Sequence, residues 1–203
     1  MNRLIAYIDG FNLYFGLKES RWKKFYWLDL QKLCLNLSKH DQVLVKTKYF
    51  TSRVAKPHNK MMRQKTFLEA LSTLNDFQIF YGKYQINNWL CSACEANIEV
   101  PKEKMTDVNI AVELLTDAFQ DKFDTALIIS ADSDLKPPIL KTKELFPEKN
   151  IVVAFPPKRY SIELKNVADS SFHIGRKKVA DSLLPDQIKK EDGYVIIRPA
   201  EWQ

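Results

Sequence analysis

Two short stretches place carboxylates where an apolar run stops. Leu4-Ile5-Ala6-Tyr7-Ile8 gives way to Asp9-Gly10-Phe11-Asn12, and Thr125-Ala126-Leu127-Ile128-Ile129 gives way to Ser130-Ala131-Asp132-Ser133-Asp134. Such runs read as buried strands, so each acidic group stands where the chain turns before becoming helical. Charging a carboxylate there is costly unless something pairs with it. A further acid, Asp107, opens a helical pattern upstream of the second strand. Carboxylates gathered together repel and raise one another's pKa unless a cation neutralises them. Oxygen-only donors favour Mg2+ or Mn2+ with several waters retained. Asp9, Asp107, Asp132 and Asp134 are therefore the candidate metal ligands.

Each acid also has a plainer role when taken singly. Asp134 is a natural helix N-cap, Asp132 a turn residue and Asp9 a cap for the helix after it. Asp107 in a first helical turn complements the helix dipole. The case for a site rests on four acids reaching one edge, which depends on how the elements are arranged.

Strand and helix alternate along the chain. Residues 11–27 are aromatic and basic, part helix and part loop; Asp29 then caps a helix carrying Leu30, Leu33, Cys34 and Leu37 at helical spacing. Residues 43–51 read as a second strand, 58–74 as a helix and 77–81 as a short third strand. Gly82 to Met105 shows the least regular pattern. A helix begins near Thr106, with Val108, Ala111, Val112, Leu115 and Phe119 as its apolar face. Strands at 124–130 and 150–155 flank a helix at 134–145, whose first turn tolerates Pro137 and Pro138. A short helix, a strand at 171–174 and a basic tail from Arg176 follow.

This alternation predicts an α/β three-layer domain with a mainly parallel sheet of five or six strands. Right-handed crossovers bring every strand's carboxyl end to one edge, where ligands bind. With the first and fourth strands as neighbours, Asp9 meets Asp132 and Asp134, and Asp107 points to the same edge.

Composition fits a single globular domain: 203 residues, 45% hydrophobic and 28% charged. No apolar run approaches the roughly 18 residues of a membrane span, and the N-terminal run, broken by Asp9, lacks a signal-peptide cleavage pattern. Three cysteines argue for a reducing compartment, with the cytoplasm as the expected location. The net charge of +6 favours polyanionic partners without identifying them.

Three motifs, Ile8-Asp9-Gly10-Phe11-Asn12-Leu13-Tyr14, Glu103-Lys104-x-x-Asp107-Val108 and Ser130-Ala131-Asp132-Ser133-Asp134-Leu135, occur in this order. As a set they resemble the NYN domain of bacterial type, a branch of the PIN-like nuclease superfamily. The resemblance covers about residues 3–175, giving a nuclease domain at 1–175 and a C-terminal extension at 176–203 packed on it. The extension, from Leu184-Pro185 to Arg198-Pro199-x-x-Trp202, is similar to the ending of some bacterial members. The resemblance implies a Rossmann-like (PIN-like) sheet and metal-dependent hydrolysis of RNA phosphodiester bonds, leaving a 5′-phosphate and a 3′-hydroxyl. Asp9, Asn12, Asp107, Asp132 and Asp134 match the catalytic positions, the four acids as ligands of Mg2+ or Mn2+. Asn12 would orient water or phosphate, Ser130 would position the acidic loop, and Lys104 is a candidate phosphate contact, with a solvated lysine as the plainer and favoured reading. The chain departs from the family pattern at Ala131, where many members carry glycine, and at Met105-Thr106, where a glycine and a β-branched residue are common.

RNA is thus the expected partner, no membrane is, and a homodimer is compatible with the sequence. Lys46, Lys48, Arg53, Lys56, Lys60, Arg63 and Lys65, with Tyr49 and Phe50 interleaved, offer a track for phosphates and stacked bases. A solvated helix face above core aromatics explains the same pattern. Cys91-Ser92-Ala93-Cys94 is half of a structural zinc site, and an inert loop is favoured over bound zinc. His40, His58 and His173 show no ligand spacing. Two other classes compete: a non-catalytic RNA-binding or interaction module with a vestigial acidic site, and a haloacid-dehalogenase-like phosphatase. The second needs a carboxylate two residues after Asp9, where Phe11 stands. Dinucleotide binding fits poorly, since no G-x-G-x-x-G follows the first strand.

Overall fold

The structure, a computed structural model, describes residues 1–90, 94 and 96–203. Its first half comprises β1 (Asn2–Asp9), α1 (Gly10–Glu19), α2 (Leu30–Leu37), β2 (Gln42–Thr51), α3 (His58–Leu71) and β3 (Phe77–Tyr81). There follow β4 (Lys83–Leu90), β5 (Asn97–Lys104), α4 (Thr106–Phe119), β6 (Thr125–Ile129), α5 (Lys136–Leu145) and β7 (Asn150–Phe155). The last part is α6 (Ile162–Val167), β8 (Ser170–His173), α7 (Arg176–Ala180), β9 (Gln187–Lys189) and β10 (Val195–Ile197).

Six strands form one sheet in the order β3-β2-β1-β6-β7-β8, every neighbouring pair parallel. The expected adjacency holds: β1 pairs with β6, in a register that sets Ile8 opposite Ile129. Because side chains alternate along a strand, β1 feeds both faces of the sheet. Leu4, Ala6 and Ile8 join the core that also holds buried residues of α1, α2 and α3. Ile5 and Tyr7 join the other core, with Ile110 and Leu114 of α4 and Ile139 of α5. Helices cover both faces, so the protein is a three-layer α/β fold with a parallel sheet.

Local chemistry explains most helix starts. Asp29 caps α2 by accepting from the Lys32 N–H at 2.8 Å, and Ser161 caps α6 through the Leu164 N–H. Pro137 and Pro138 sit in the first turn of α5, as expected. Two expectations need correction. Within the stretch from Gly82 to Met105, expected to be the least regular, β4 and β5 form an antiparallel pair from Lys83↔Lys104 to Leu90↔Asn97, separate from the main sheet. And α4 turns a different face inward. Ile110, Leu114, Asp117 and Ala118 are buried, whereas Val108, Val112 and Phe119 are exposed.

Residues after Arg176 fold back onto the helices of the first core. Val179, Leu184, Ile196 and Trp202 are buried in it. The Trp202 ring lies 5.9–6.3 Å from Tyr26, Phe67 and Trp27, and Trp27 Nε1 donates to the Pro185 carbonyl at 2.8 Å.

At the other end of the sheet, Arg3 joins β1 to the residue before β6. Its guanidinium reaches Asp124 Oδ1 at 2.7 Å and Oδ2 at 3.1 Å, while its backbone N–H donates to Oδ2 at 2.7 Å. These bonds to the Arg3 side chain and backbone pull the Asp124 carboxyl down to about 2. A carboxyl depressed on folding adds stability above its unfolded pKa and loses it as pH falls toward the folded value. Asp124→Asn should therefore melt below the parent at pH 5 and above, the difference shrinking toward pH 2 in thermal denaturation followed by circular dichroism.

Candidate metal centre

The carboxyl edges of β1 and β6 carry the site because of their register. One step beyond the Ile8↔Ile129 pair, Asp9 stands beside Ser130, on the face that Tyr7 and Ile128 share. Ser130 Oγ donates to Asp9 Oδ2 at 2.9 Å and accepts from the Asp132 N–H at 3.0 Å. One buried hydroxyl thus locks two acids of the site to each other. Asp9 also caps α1, its Oδ1 accepting from the Asn12 N–H at 3.0 Å. Asn12 returns the link: its Oδ1 accepts from the Ala131 N–H at 3.1 Å. Gly10 is required by close approach, since a Cβ there would lie 2.6 Å from the Tyr49 hydroxyl.

Asp107 arrives from the other side, in the first turn of α4. The base of the β4–β5 hairpin fixes that helix start. A Cβ on Gly82 would lie 2.7 Å from both the Lys104 carbonyl and Thr106 Oγ1, so only glycine lets the chain pass. Met105 joins the hairpin to α4 at a φ of +75°, the left-handed region that favours glycine. The resemblance leads one to expect glycine at this position, and methionine occupies it.

One carboxylate oxygen each from Asp9, Asp107 and Asp132 lies within 4.8 Å of the other two. Asp9 is buried and the other two are half-buried. Burial pushes the Asp107 carboxyl above its ordinary value, and the charges of Asp132 and Asp134 push it further. An octahedral ion with metal–oxygen distances of about 2.1 Å spaces opposite ligands by about 4.2 Å. An all-oxygen donor set of this spread, held under mutual repulsion, fits a small hard divalent cation. Asp134 lies on the same rim but outside that triad: it is exposed, and its N–H donates to Asp132 Oδ1 at 3.0 Å.

The cleft above the triad encloses about 260 Å3 and is lined by Asp9, Asn12, Lys104, Asp107, Asp132 and Arg159, among others. Lys104 is exposed at its mouth, as a phosphate contact requires. Arg159 was not singled out from sequence. It follows β7 in Pro156-Pro157-Lys158-Arg159, pairs with Glu19 and lies 5.9 Å from the Phe15 ring. A basic residue just past the carboxyl end of a strand was the available signal. Thr106, buried beneath the cleft, was also missed.

The other expected substrate contacts divide. Arg53 lies past the carboxyl end of β2, exposed and stacked 4.7 Å over the Tyr81 ring. Lys46 is half-buried in mid-strand opposite Ile5, four residues before the level where Phe50 pairs with Asp9. Lys48 is a correction. It is buried on the α4 side of the sheet and bonds Asp117 and Glu113, so it cannot meet RNA. Cys91 lies outside the described residues; Cys94 is exposed and free, and His40, His58 and His173 belong to no metal-ligating group among the described residues.

The site is thus a doubly covered parallel sheet with acids converging at its carboxyl rim. The family model for the NYN domain matches residues 3–176, and the chain belongs to that family. Among curated proteins it is similar to 6-hydroxy-3-succinoylpyridine 3-monooxygenase HspA of Pseudomonas putida, 27% identical over 169 residues. That match covers 66% of this chain and 54% of the relative, so the chain spans about half that protein's length. Among solved structures, a protein of unknown function from Vibrio parahaemolyticus matches with a TM-score of 0.60 and 19% identity. The match covers 90% of this chain and 96% of the other, and shows the fold alone. No helix among the described residues is long and apolar enough to cross a membrane.

Proposed function

We propose that the protein is a metal-dependent ribonuclease, acting in the cytoplasm, that hydrolyses RNA phosphodiester bonds at the Asp9–Asp107–Asp132 cleft. The observation that carries this is the convergence of three carboxylates from three separate elements within 4.8 Å. Family membership supports it. Asp9, Asp107 and Asp132 would hold Mg2+ or Mn2+, with Asp134 adding charge at the rim. The chemistry a bound cation supplies there is activation of a water and compensation of the charge that develops on the phosphoryl oxygens.

The rest falls to the chain. Lys104 and Arg159 place two cations around an acidic floor, so a phosphodiester is drawn in although the ligands are anionic. The positive ends of α1 and α4, whose N-termini open at Gly10 and Thr106, add to that field. Asn12 has its carbonyl oxygen committed to Ala131, leaving its amide N–H groups to orient a water or a phosphate oxygen. Ser130 holds Asp9 and Asp132 in one geometry, and Ser130→Ala should lower kcat about 10- to 100-fold, the usual cost of losing a group that orients a ligand. Single-turnover cleavage of a labelled RNA measures that loss.

The monooxygenase activity in the Pseudomonas relative's name is not carried over, because this chain spans about half of that protein. The direct test is a Mn2+ titration against labelled RNA with and without EDTA. Cleavage that requires the metal supports the proposal. RNA binding without cleavage at any Mn2+ or Mg2+ concentration would favour the non-catalytic module instead.

A further inference from the structure

A second cavity opens beside the acidic cleft and shares Phe11 and Phe15 with it. It encloses about 610 Å3 between α1 and α3, within the roughly 300–1,000 Å3 of organic ligand sites. Its walls are aromatic. Tyr14, 36% exposed, lies 5.1 Å from the Tyr26 ring, which in turn lies 5.9 Å from Trp202. Its charged lining residues are all cations, Lys18, Lys23, Lys56, Lys60 and Arg63, with no acid among the lining residues described. The Arg63 guanidinium reaches Glu201 at 2.6 Å, fastening α3 to the turn that carries Trp202.

We infer that this groove receives an unpaired nucleobase of the RNA strand whose neighbouring phosphate lies in the acidic cleft. Aromatic walls under a rim where Lys18, Lys23 and Lys60 add to the Glu201-paired Arg63 match a planar ring bearing an anionic backbone. Aromatic stacking of this kind tolerates any base and requires it unpaired. The groove's continuity with the catalytic cleft through Phe11 and Phe15 sets the order along the strand: one nucleotide reacts while an adjacent one is held. The C-terminal extension thereby acquires a role in substrate recognition, since its Trp202 closes the groove. The inference rests on RNA being the substrate of the acidic cleft.

The test uses a fluorescent single-stranded RNA of about 12 nucleotides, inside the roughly 4–16 nucleotide footprint of single-strand sites. Binding is measured by anisotropy in EDTA, where no cleavage interferes, against a duplex of equal length and against nucleoside monophosphate alone. Tyr14→Ala should raise the single-strand Kd about 5- to 100-fold, leave the duplex Kd unchanged and lower the melting temperature by only a few degrees, the cost of its lost ring contacts; Tyr14→Phe should restore affinity. Lys60→Gln should reduce the slope of log K against log salt by about 1. Equal single-strand affinity in Tyr14→Ala and parent would overturn the inference, as would a monophosphate that competes as well as the oligonucleotide. Cleavage is read separately with Mn2+. A parent that cleaves RNA while Tyr14→Ala binds it normally sinks the groove assignment and leaves the nuclease standing. A parent that never cleaves removes the premise itself.

Discussion

Asp9→Asn should lower Mn2+-supported RNA cleavage by about a thousandfold or more, a loss of about 4 kcal/mol in transition-state stabilisation, while leaving the apo protein's melting temperature nearly unchanged. The two halves of this expectation have different origins. Asparagine is as good an N-cap as aspartate, so the bond from the Asn12 N–H that starts α1 survives. The contact with Ser130 also survives, because an amide and a hydroxyl can still pair. What disappears is one negative charge and one hard oxygen donor in a group of three. The apo fold gives up little when that charge goes, because three carboxylates held within 4.8 Å repel one another without a cation between them. Metal linkage supplies a readout besides activity. A cation that binds only the folded state raises its melting temperature with concentration, so Mn2+ should stabilise the parent and have much less effect on Asp9→Asn. Full cleavage by the variant would defeat the assignment of the site.

The parts of this site that were legible in the sequence obey local rules. An apolar run that stops at an acid identifies a strand end, and the parallel topology then dictates which ends are neighbours; Asp9 and Asp132 follow from those two steps, and Asp107 from a helix start at the same edge. The fold class followed for the same reason. The hairpin did not, because β4 and β5 satisfy their backbone groups on each other and lie outside the main sheet. Short alternations are present, in Tyr84-Gln85-Ile86-Asn87 and Ile98-Glu99-Val100, but a hairpin interrupts the strand–helix succession from which the sheet was read. The face of α4 was misjudged for a different reason. Val108, Val112 and Phe119 form an apolar set at helical spacing, but Ile110, Leu114 and Ala118 share their face with Asp117. A buried acid lowers the apparent amphipathicity of the face that matters, and only a cation elsewhere in the fold justifies it. Arg159 escaped notice because its importance depends on where β7 ends in space.

Lys48→Met should destabilise the protein by about 3–5 kcal/mol, the cost of stranding a buried charge, and lower its melting temperature by roughly 10 °C or more. The lysine is 3% exposed and reaches both Glu113, at 2.6 Å, and Asp117. Asp117 is fully buried and also accepts from the Tyr7 hydroxyl at 2.7 Å, which sets that phenol well above its ordinary pKa through burial first and Asp117 second. Without Lys48 the remaining cation near Asp117 is Lys122, 3.4 Å away and half exposed, too well hydrated to replace it. Removing both charges should undo most of the damage: Lys48→Met combined with Asp117→Asn should melt several degrees above Lys48→Met alone. That recovery distinguishes an uncompensated charge from a packing defect, because methionine fills nearly the same volume in either background. The same variants decide whether Lys48 belongs to the RNA track. At a temperature where the single variant is folded, its affinity for single-stranded RNA should equal the parent's. A normal melt with weakened RNA binding would instead place Lys48 at the surface and break the register that brings Asp9 to its partners.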